Sequence, residues 1–284
     1  MLDERFDLRR PDGAVLAVRT AGAERPAVTA VLVHGWTMTG ASWQPVVDRV
    51  LAERPDVAVV RPDQRDHGDS RPALGGGEPS IAVLADDLAA VVDRAAPQGP
   101  VVLAGHSMGG MSVLAAVDRH PELRDRLAGV LLVNTAADRL RPRPWVARVM
   151  RLLAAAPAAV RVPRVPGPLA RRYGYGRSAP PDVVRRVRAG VPPPTARSTG
   201  GWYLALSVFD GTGHLRALDG VPVTVLAGQR DRLTPPEHSA RLAARLPGAR
   251  VEVVPGAGHM LMFEHPDRVA AALLDLLPVS GGRS

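Results

Sequence analysis

The sequence feature that most constrains the fold is the pentapeptide Gly105-His106-Ser107-Met108-Gly109. It lies between an apolar run at 101–104, typical of a buried strand, and residues 110–117, which have a helix pattern. A strand that turns directly into a helix holds the residue at the turn in a strained conformation and needs small neighbours. We therefore expect the hydroxyl of Ser107 to stand clear of the backbone, near a helix N-terminus that stabilises negative charge.

Strand and helix patterns alternate along most of the 284 residues. A hairpin is predicted at 4–20, around Pro11-Asp12-Gly13. Further strands are predicted at 29–33, 57–60, 101–104, 127–133, 223–226 and 250–254, and helices at 42–54, 80–95, 110–117, 236–246 and 266–277. Strands of continuous apolar character between helices predict an α/β protein with a doubly wound, mostly parallel sheet.

The segment 137–210 interrupts this alternation. It is rich in proline and arginine and contains no convincing strand. One helix is predicted there, ending near Pro157, with Trp145, Val149, Leu152 and Leu153 on one face. We expect a helical cap inserted into a core of residues 1–136 and 211–284. Its aromatic residues favour a folded cap over a solvated linker: Trp145, Tyr173, Tyr175, Trp202, Tyr203 and Phe209.

The cap also concentrates positive charge. Every basic residue of the chain is arginine, and 139–197 holds 14 arginines against one acid, Asp182, although the whole chain carries only +8. A GC-rich genome accounts for the lack of lysine better than for this clustering. Three interpretations stay open: a solvated cap, a surface for an anionic partner such as an acidic acyl-carrier protein, and an arginine that binds a substrate carboxylate.

Composition excludes several function classes. There is no cysteine, which rules out a disulfide, a thiol nucleophile and a Cys-ligated metal. The charged N-terminus lacks the apolar region of a signal peptide, and no apolar run approaches the ~20 residues that span a bilayer. We expect a cytoplasmic protein without transmembrane segment, metal or other cofactor, and without a nucleic-acid partner.

Chemically useful residues follow two later strands. Asp231 comes after the strand that ends at Leu226, and His259 comes after the strand that ends at Val254. The carboxyl ends of parallel strands meet at one edge of a sheet, and the order Ser, Asp, His is typical of a strand–turn–helix nucleophile. We expect His259 to accept the Ser107 proton and Asp231 to orient the imidazole. Asp138, just after the strand that ends at Val133, is the rival acid.

Attack on a carbonyl places negative charge on its oxygen, and pre-placed N–H groups stabilise that charge. We expect two donors, the backbone N–H of Met108, directly after the nucleophile, and the backbone N–H of Trp36 in His34-Gly35-Trp36. The stretch Asp63-Gln64-Arg65-Asp66-His67-Gly68-Asp69-Ser70 is interpreted as a structural loop beside the site rather than a source of catalytic groups. The remaining histidines, His120, His214, His238 and His265, are interpreted as surface or structural residues.

Together these motifs resemble the α/β-hydrolase fold superfamily, in the group with a helical cap. The resemblance covers nearly the whole chain, with one departure: Asp66 stands where the family pattern usually has glycine. It implies a serine hydrolase that cleaves a carboxylic ester or thioester through an acyl-enzyme. The alternatives are a carbon–carbon bond hydrolase or a perhydrolase with the same residues, and a non-catalytic ligand receptor. Serine at position 107 argues against the dehalogenases and epoxide hydrolases, which use aspartate.

Overall fold

An eight-stranded sheet forms the centre of the protein. The computed structural model describes residues 4–73, 76–140, 142–163, 174–176, 179 and 193–278. The strands lie in the order β1-β2-β4-β3-β5-β6-β7-β8; β1 and β2 pair antiparallel, as do β2 and β4, and the remaining pairs are parallel. Their bounds are β1 Glu4–Arg9, β2 Val15–Gly22, β3 Val28–Val33, β4 Val57–Pro62, β5 Val101–His106, β6 Leu127–Val133, β7 Val223–Gly228 and β8 Arg250–Val254.

Helices cover both faces of this sheet. In the described residues they are α1 Gln44–Glu53, α2 Ile81–Ala95, α3 Met108–Arg119, α4 Pro121–Arg124, α5 Pro144–Ala154, α6 Ala196–Val208, α7 Pro236–Ala243, α8 Leu261–Glu264 and α9 Pro266–Leu274, with 3-10 helices at Gly40–Trp43 and Gly213–Leu218. Alternate residues of β5 join opposite cores: Val101 and Leu103 pack with α2 and α3, whereas Val102 and Ala104 pack with α1 and α9. Because β5 is buried on both faces, its residues 101–104 are apolar without interruption, as the sequence predicts.

The predicted hairpin and parallel strands are confirmed, but the sequence missed α6. This helix contains Gly200 and Gly201 and has no clear apolar stripe. A Cβ at Gly200 would lie 2.3 Å from the Met150 carbonyl oxygen, so this glycine lets α6 pack closely on α5. Close packing with a neighbour, and not helix propensity, explains why this helix forms.

The apolar face predicted for α5 is largely exposed: Trp145 is 63% and Leu152 is 69% accessible. Trp202 on α6, by contrast, is fully buried. Tyr173 lies outside the described residues. No helix among those residues is long and apolar enough to cross a membrane.

Candidate active site

The turn between β5 and α3 has the strained geometry expected of it. Ser107 adopts φ 52° and ψ −119°, a region that non-glycine residues rarely occupy. A Cβ on Gly105 would lie 2.6 Å from backbone atoms of Gly110, and a Cβ on Gly109 would lie 2.3 Å from the Val33 carbonyl oxygen. Only glycine fits at these two positions, because the helix starts directly against two strands.

His259 and Asp231 meet at the carboxyl ends of β7 and β8. His259 Nδ1 lies 2.7 Å from Asp231 Oδ2, and both side chains are almost fully buried. The other carboxylate oxygen accepts the backbone N–H groups of Leu233 and Thr234, and the Thr234 hydroxyl lies 2.8 Å from Oδ2. Burial acts to raise the pKa of Asp231, but the His259 charge and these hydrogen bonds lower it below its usual range. Asp231 is therefore an anion that fixes the proton on Nδ1 and leaves Nε2 of His259 as the basic nitrogen.

The rival acid Asp138 has other partners. Its carboxylate binds His238 Nδ1 at 2.7 Å and Arg241 Nε at 2.8 Å. The structure thus pairs His259 with Asp231 and not with Asp138. His238, which the sequence suggested was a surface or structural residue, lines the same cavity as Ser107.

Asn134 is a residue that the sequence reasoning missed. It is fully buried directly after β6, and its Nδ2 donates to the carbonyl oxygens of Gly258, at 3.0 Å, and His259, at 2.7 Å. Its Oδ1 accepts the Gly228 N–H at 2.7 Å. One amide therefore ties the end of β7 to the loop that carries His259. The one sequence signal for this role is the position of the asparagine, a polar residue directly after a buried strand.

Glu264, at the end of α8, also holds the loop that carries His259. Its carboxylate accepts the backbone N–H groups of Gly258, Met260 and Gly176, the last at 2.7 Å. The His259 N–H also donates to the Gly174 carbonyl oxygen at 3.1 Å. Residues 174–176, from the segment predicted to form the cap, are thus bound to the histidine loop.

The loop after β3 is held by a neutral histidine. The Gln64 N–H donates to His34 Nε2, so that nitrogen carries no proton and Nδ1 donates to the Gly35 carbonyl oxygen. Burial lowers the pKa of His34 well below its usual value. Within the described residues, the backbone N–H groups of Trp36 and Met108 have no acceptor, which leaves both available to a substrate oxygen.

His106, directly before Ser107, is also neutral. Burial, together with nearby His259, lowers its pKa to about 3. Its Nε2 donates to the His259 carbonyl oxygen at 2.9 Å, while its buried Nδ1 has no partner in the part of the chain described. His106 therefore supports the position of the His259 backbone and carries no charge at neutral pH.

The loop 63–70 is held by Asp63, whose carboxylate accepts the N–H groups of Gly40 and Asp69 at 2.7 and 2.9 Å. This agrees with the structural interpretation of the loop. Asp66 adopts φ 63°, in the left-handed region that glycine enters without cost. The residue that departs from the family pattern thus keeps the backbone shape that favours glycine.

Ser107 and His259 open into one cavity of about 790 Å³, a size that suits a small organic molecule. Apolar side chains from the core and from α6 line much of it: Trp36, Leu140, Tyr203, Leu206, Leu233 and Met260. Trp36 is held there by a hydrogen bond from its indole N–H to the Thr199 carbonyl oxygen. Among the described residues, no cluster of three or more His, Asp or Glu could hold a metal ion.

Comparison with known proteins identifies the family. Residues 30–266 match the family described as alpha/beta hydrolase fold. The chain belongs to this family. The match extends from β3 to the start of α9 and so includes every strand that carries a residue of the site.

Several α/β-hydrolase relatives have named activities. A pimeloyl-[acyl-carrier protein] methyl ester esterase of Xanthomonas oryzae pv. oryzae is 30% identical over 86% of this chain and 92% of its own. A malate-bound esterase from Thermogutta terrifontis superposes with a TM-score of 0.78 at 28% identity, over 96% of this chain and 97% of its own. The enol-lactonase of Burkholderia xenovorans LB400 superposes with a TM-score of 0.75 at 25% identity, over 93% of this chain and 96% of its own. This chain is therefore similar to hydrolases, most of them esterases.

Proposed function

We propose that this protein is a serine hydrolase that cleaves a carboxylic ester or thioester. Ser107 Oγ attacks the acyl carbon while His259 Nε2 takes the hydroxyl proton. The alcohol or thiol leaves with a proton from His259. Water then attacks the acyl-enzyme, again with His259 as the base, and the acid is released. The observation that carries the proposal is the buried 2.7 Å contact between Asp231 and His259, beside a strained serine in the same cavity.

The oxyanion of each tetrahedral intermediate binds to the backbone N–H groups of Trp36 and Met108. Met108 is the first residue of α3, so its N–H has no acceptor within the helix. It lies at the N-terminus of α3, which is the positive end of the helix dipole. Removing one such donor typically raises the barrier by about 3–4 kcal/mol.

Segment 137–210 acts in this proposal as the cap over the acyl pocket. Leu140 lies near its start, and Tyr203 and Leu206 come from α6, so apolar side chains of the segment line the cavity. Relatives named as esterases favour an ester substrate, and the Xanthomonas relative is named for a carrier-protein ester. An acidic carrier protein at the arginine-rich cap is the corresponding partner.

The test uses Ser107→Ala and short p-nitrophenyl esters. We expect the variant to lose at least about a thousandfold in kcat/KM, since the nucleophile is gone while the fold is kept. Reaction with a fluorophosphonate probe, located by mass spectrometry, should modify Ser107 alone. A folded Ser107→Ala protein with undiminished activity would refute the assignment, and an unlabelled Ser107 in the parent protein would favour a receptor.

A further inference from the structure

The wall of the active-site cavity carries more positive than negative charge. Among the residues that the structure describes, it includes three arginines, Arg139, Arg232 and Arg241, and one carboxylate, Asp138. Two of these cations already have acidic partners. Arg241 binds Asp138 at 2.8 Å, and Arg139 lies 3.6 Å from Asp210.

Arg232 differs from these two arginines. Across the described ranges its guanidinium makes no hydrogen bond or ion pair. The side chain is exposed, and Arg232 is one of the residues that line the cavity shared by Ser107 and His259. It directly follows Asp231, whose carboxylate is held by four contacts from its own loop and His259, so its backbone position is fixed. Asp231 cannot serve as its counterion, because that carboxylate is buried and already satisfied.

From these contacts we infer that Arg232 binds a carboxylate of the substrate. The inference rests on the proposed esterase function and names its substrate class: esters or thioesters that carry a free carboxylate several bonds from the reacting carbonyl. A planar guanidinium pairs with a carboxylate through two parallel N–H···O bonds. A single unpaired cation balances one negative charge, which a carboxylate carries, whereas a phosphate monoester carries nearly two. The apolar wall of Trp36, Leu140 and Leu233 suits the methylene chain between the two groups.

The experiment compares substrates that differ only in charge. p-Nitrophenyl half-esters of dicarboxylic acids with four to eight carbons are measured beside the matching monoamides, in which a carboxamide replaces the carboxylate. We expect the parent protein to prefer the acid over the amide in kcat/KM at one or more chain lengths. Arg232→Gln should reduce that ratio about fivefold, and Arg232→Glu should invert it, because exposed charge pairs of this kind are worth up to about 1 kcal/mol.

Arg230→Gln is the matched control. Arg230 is an exposed arginine of the same loop that does not line the cavity, so its removal changes the net charge equally without changing the site. The acid-to-amide ratio should stay at the parent value in this variant. Added salt should reduce the preference of the parent protein, since a partly exposed ion pair is screened.

Two results would overturn the inference: an acid-to-amide ratio of one or below at every chain length, or equal effects of Arg230→Gln and Arg232→Gln. Both are distinct from failure of the proposed function. If Ser107→Ala abolishes hydrolysis of p-nitrophenyl butyrate while no charge preference exists, only the carboxylate site is wrong. If Ser107→Ala stays active, the hydrolase mechanism itself is wrong.

Discussion

Replacing Asn134 should have two effects: it should lower the free energy of unfolding, and it should displace the backbone of His259. Its side chain makes three buried hydrogen bonds, to the Gly228 N–H and to the carbonyl oxygens of Gly258 and His259. At about 1 kcal/mol each, their loss in Asn134→Ala costs about 3 kcal/mol of unfolding free energy. Asn134 also adopts φ 45°, and alanine in this region costs about 1 kcal/mol more than asparagine or glycine. The expected total for alanine is about 4 kcal/mol.

Asn134→Gly separates the two contributions to this loss. Glycine removes the same hydrogen bonds but accepts the positive φ, so it should be about 1 kcal/mol less destabilising than alanine. Urea unfolding at pH 7.5, with equal m-values for the three proteins, measures both differences. In the same samples, kcat on p-nitrophenyl butyrate should fall, because the His259 carbonyl loses its donor. An alanine variant within 1 kcal/mol of the parent protein, or a glycine variant less stable than alanine, would refute this reasoning.

Two further predictions concern the loop 63–70 and the buried histidines. Asp66→Gly should change the free energy of unfolding by less than about 0.5 kcal/mol, because aspartate, like asparagine, tolerates φ 63° and the strain that glycine relieves is offset by its greater freedom in the unfolded chain. A larger shift of the urea midpoint in either direction would count against this. Burial lowers the pKa values of His34, His67 and His106, so the unfolded chain binds protons first, near pH 6.5, as the pH falls. The free energy of unfolding should therefore fall between pH 7 and pH 5. Each of these histidines contributes a slope of up to about 1.4 kcal/mol per pH unit, and urea midpoints that do not change with pH would contradict this.

The fold could be predicted because its central strands, such as β3, β5 and β7, are buried on both faces. Val101, Val102, Leu103 and Ala104 are apolar without interruption, and the sheet explains each of them. The pairing of Asp231 with His259 followed from their places after neighbouring strands. The apolar pattern of a strand is local in sequence, and the pairing of Asp231 with His259 depends only on the order of the strands.

The rest depends on contacts between distant segments. Through its amide, Asn134 joins the end of β7 to the loop that carries His259, both more than ninety positions away. Nothing near Asn134 in sequence indicates those partners. Helix α6 forms because Gly200 lets it approach α5, although glycine disfavours a helix by itself. For α5 the apolar spacing correctly indicated a helix, but it did not show that Trp145 is exposed.

The contacts of Glu264 restrict how this enzyme could be re-engineered. Its carboxylate holds Gly176 together with Gly258 and Met260, and a Cβ on Gly176 would lie 2.1 Å from the Gly256 carbonyl oxygen. Residues 174–176 therefore pack against the loop that carries His259 and share its hydrogen bonds, although they lie inside the segment 137–210. A chimera that exchanges the whole segment for a relative's would remove part of the support of His259. Exchanges intended to alter selectivity should keep residues 174–176 and replace the sequence on either side of them.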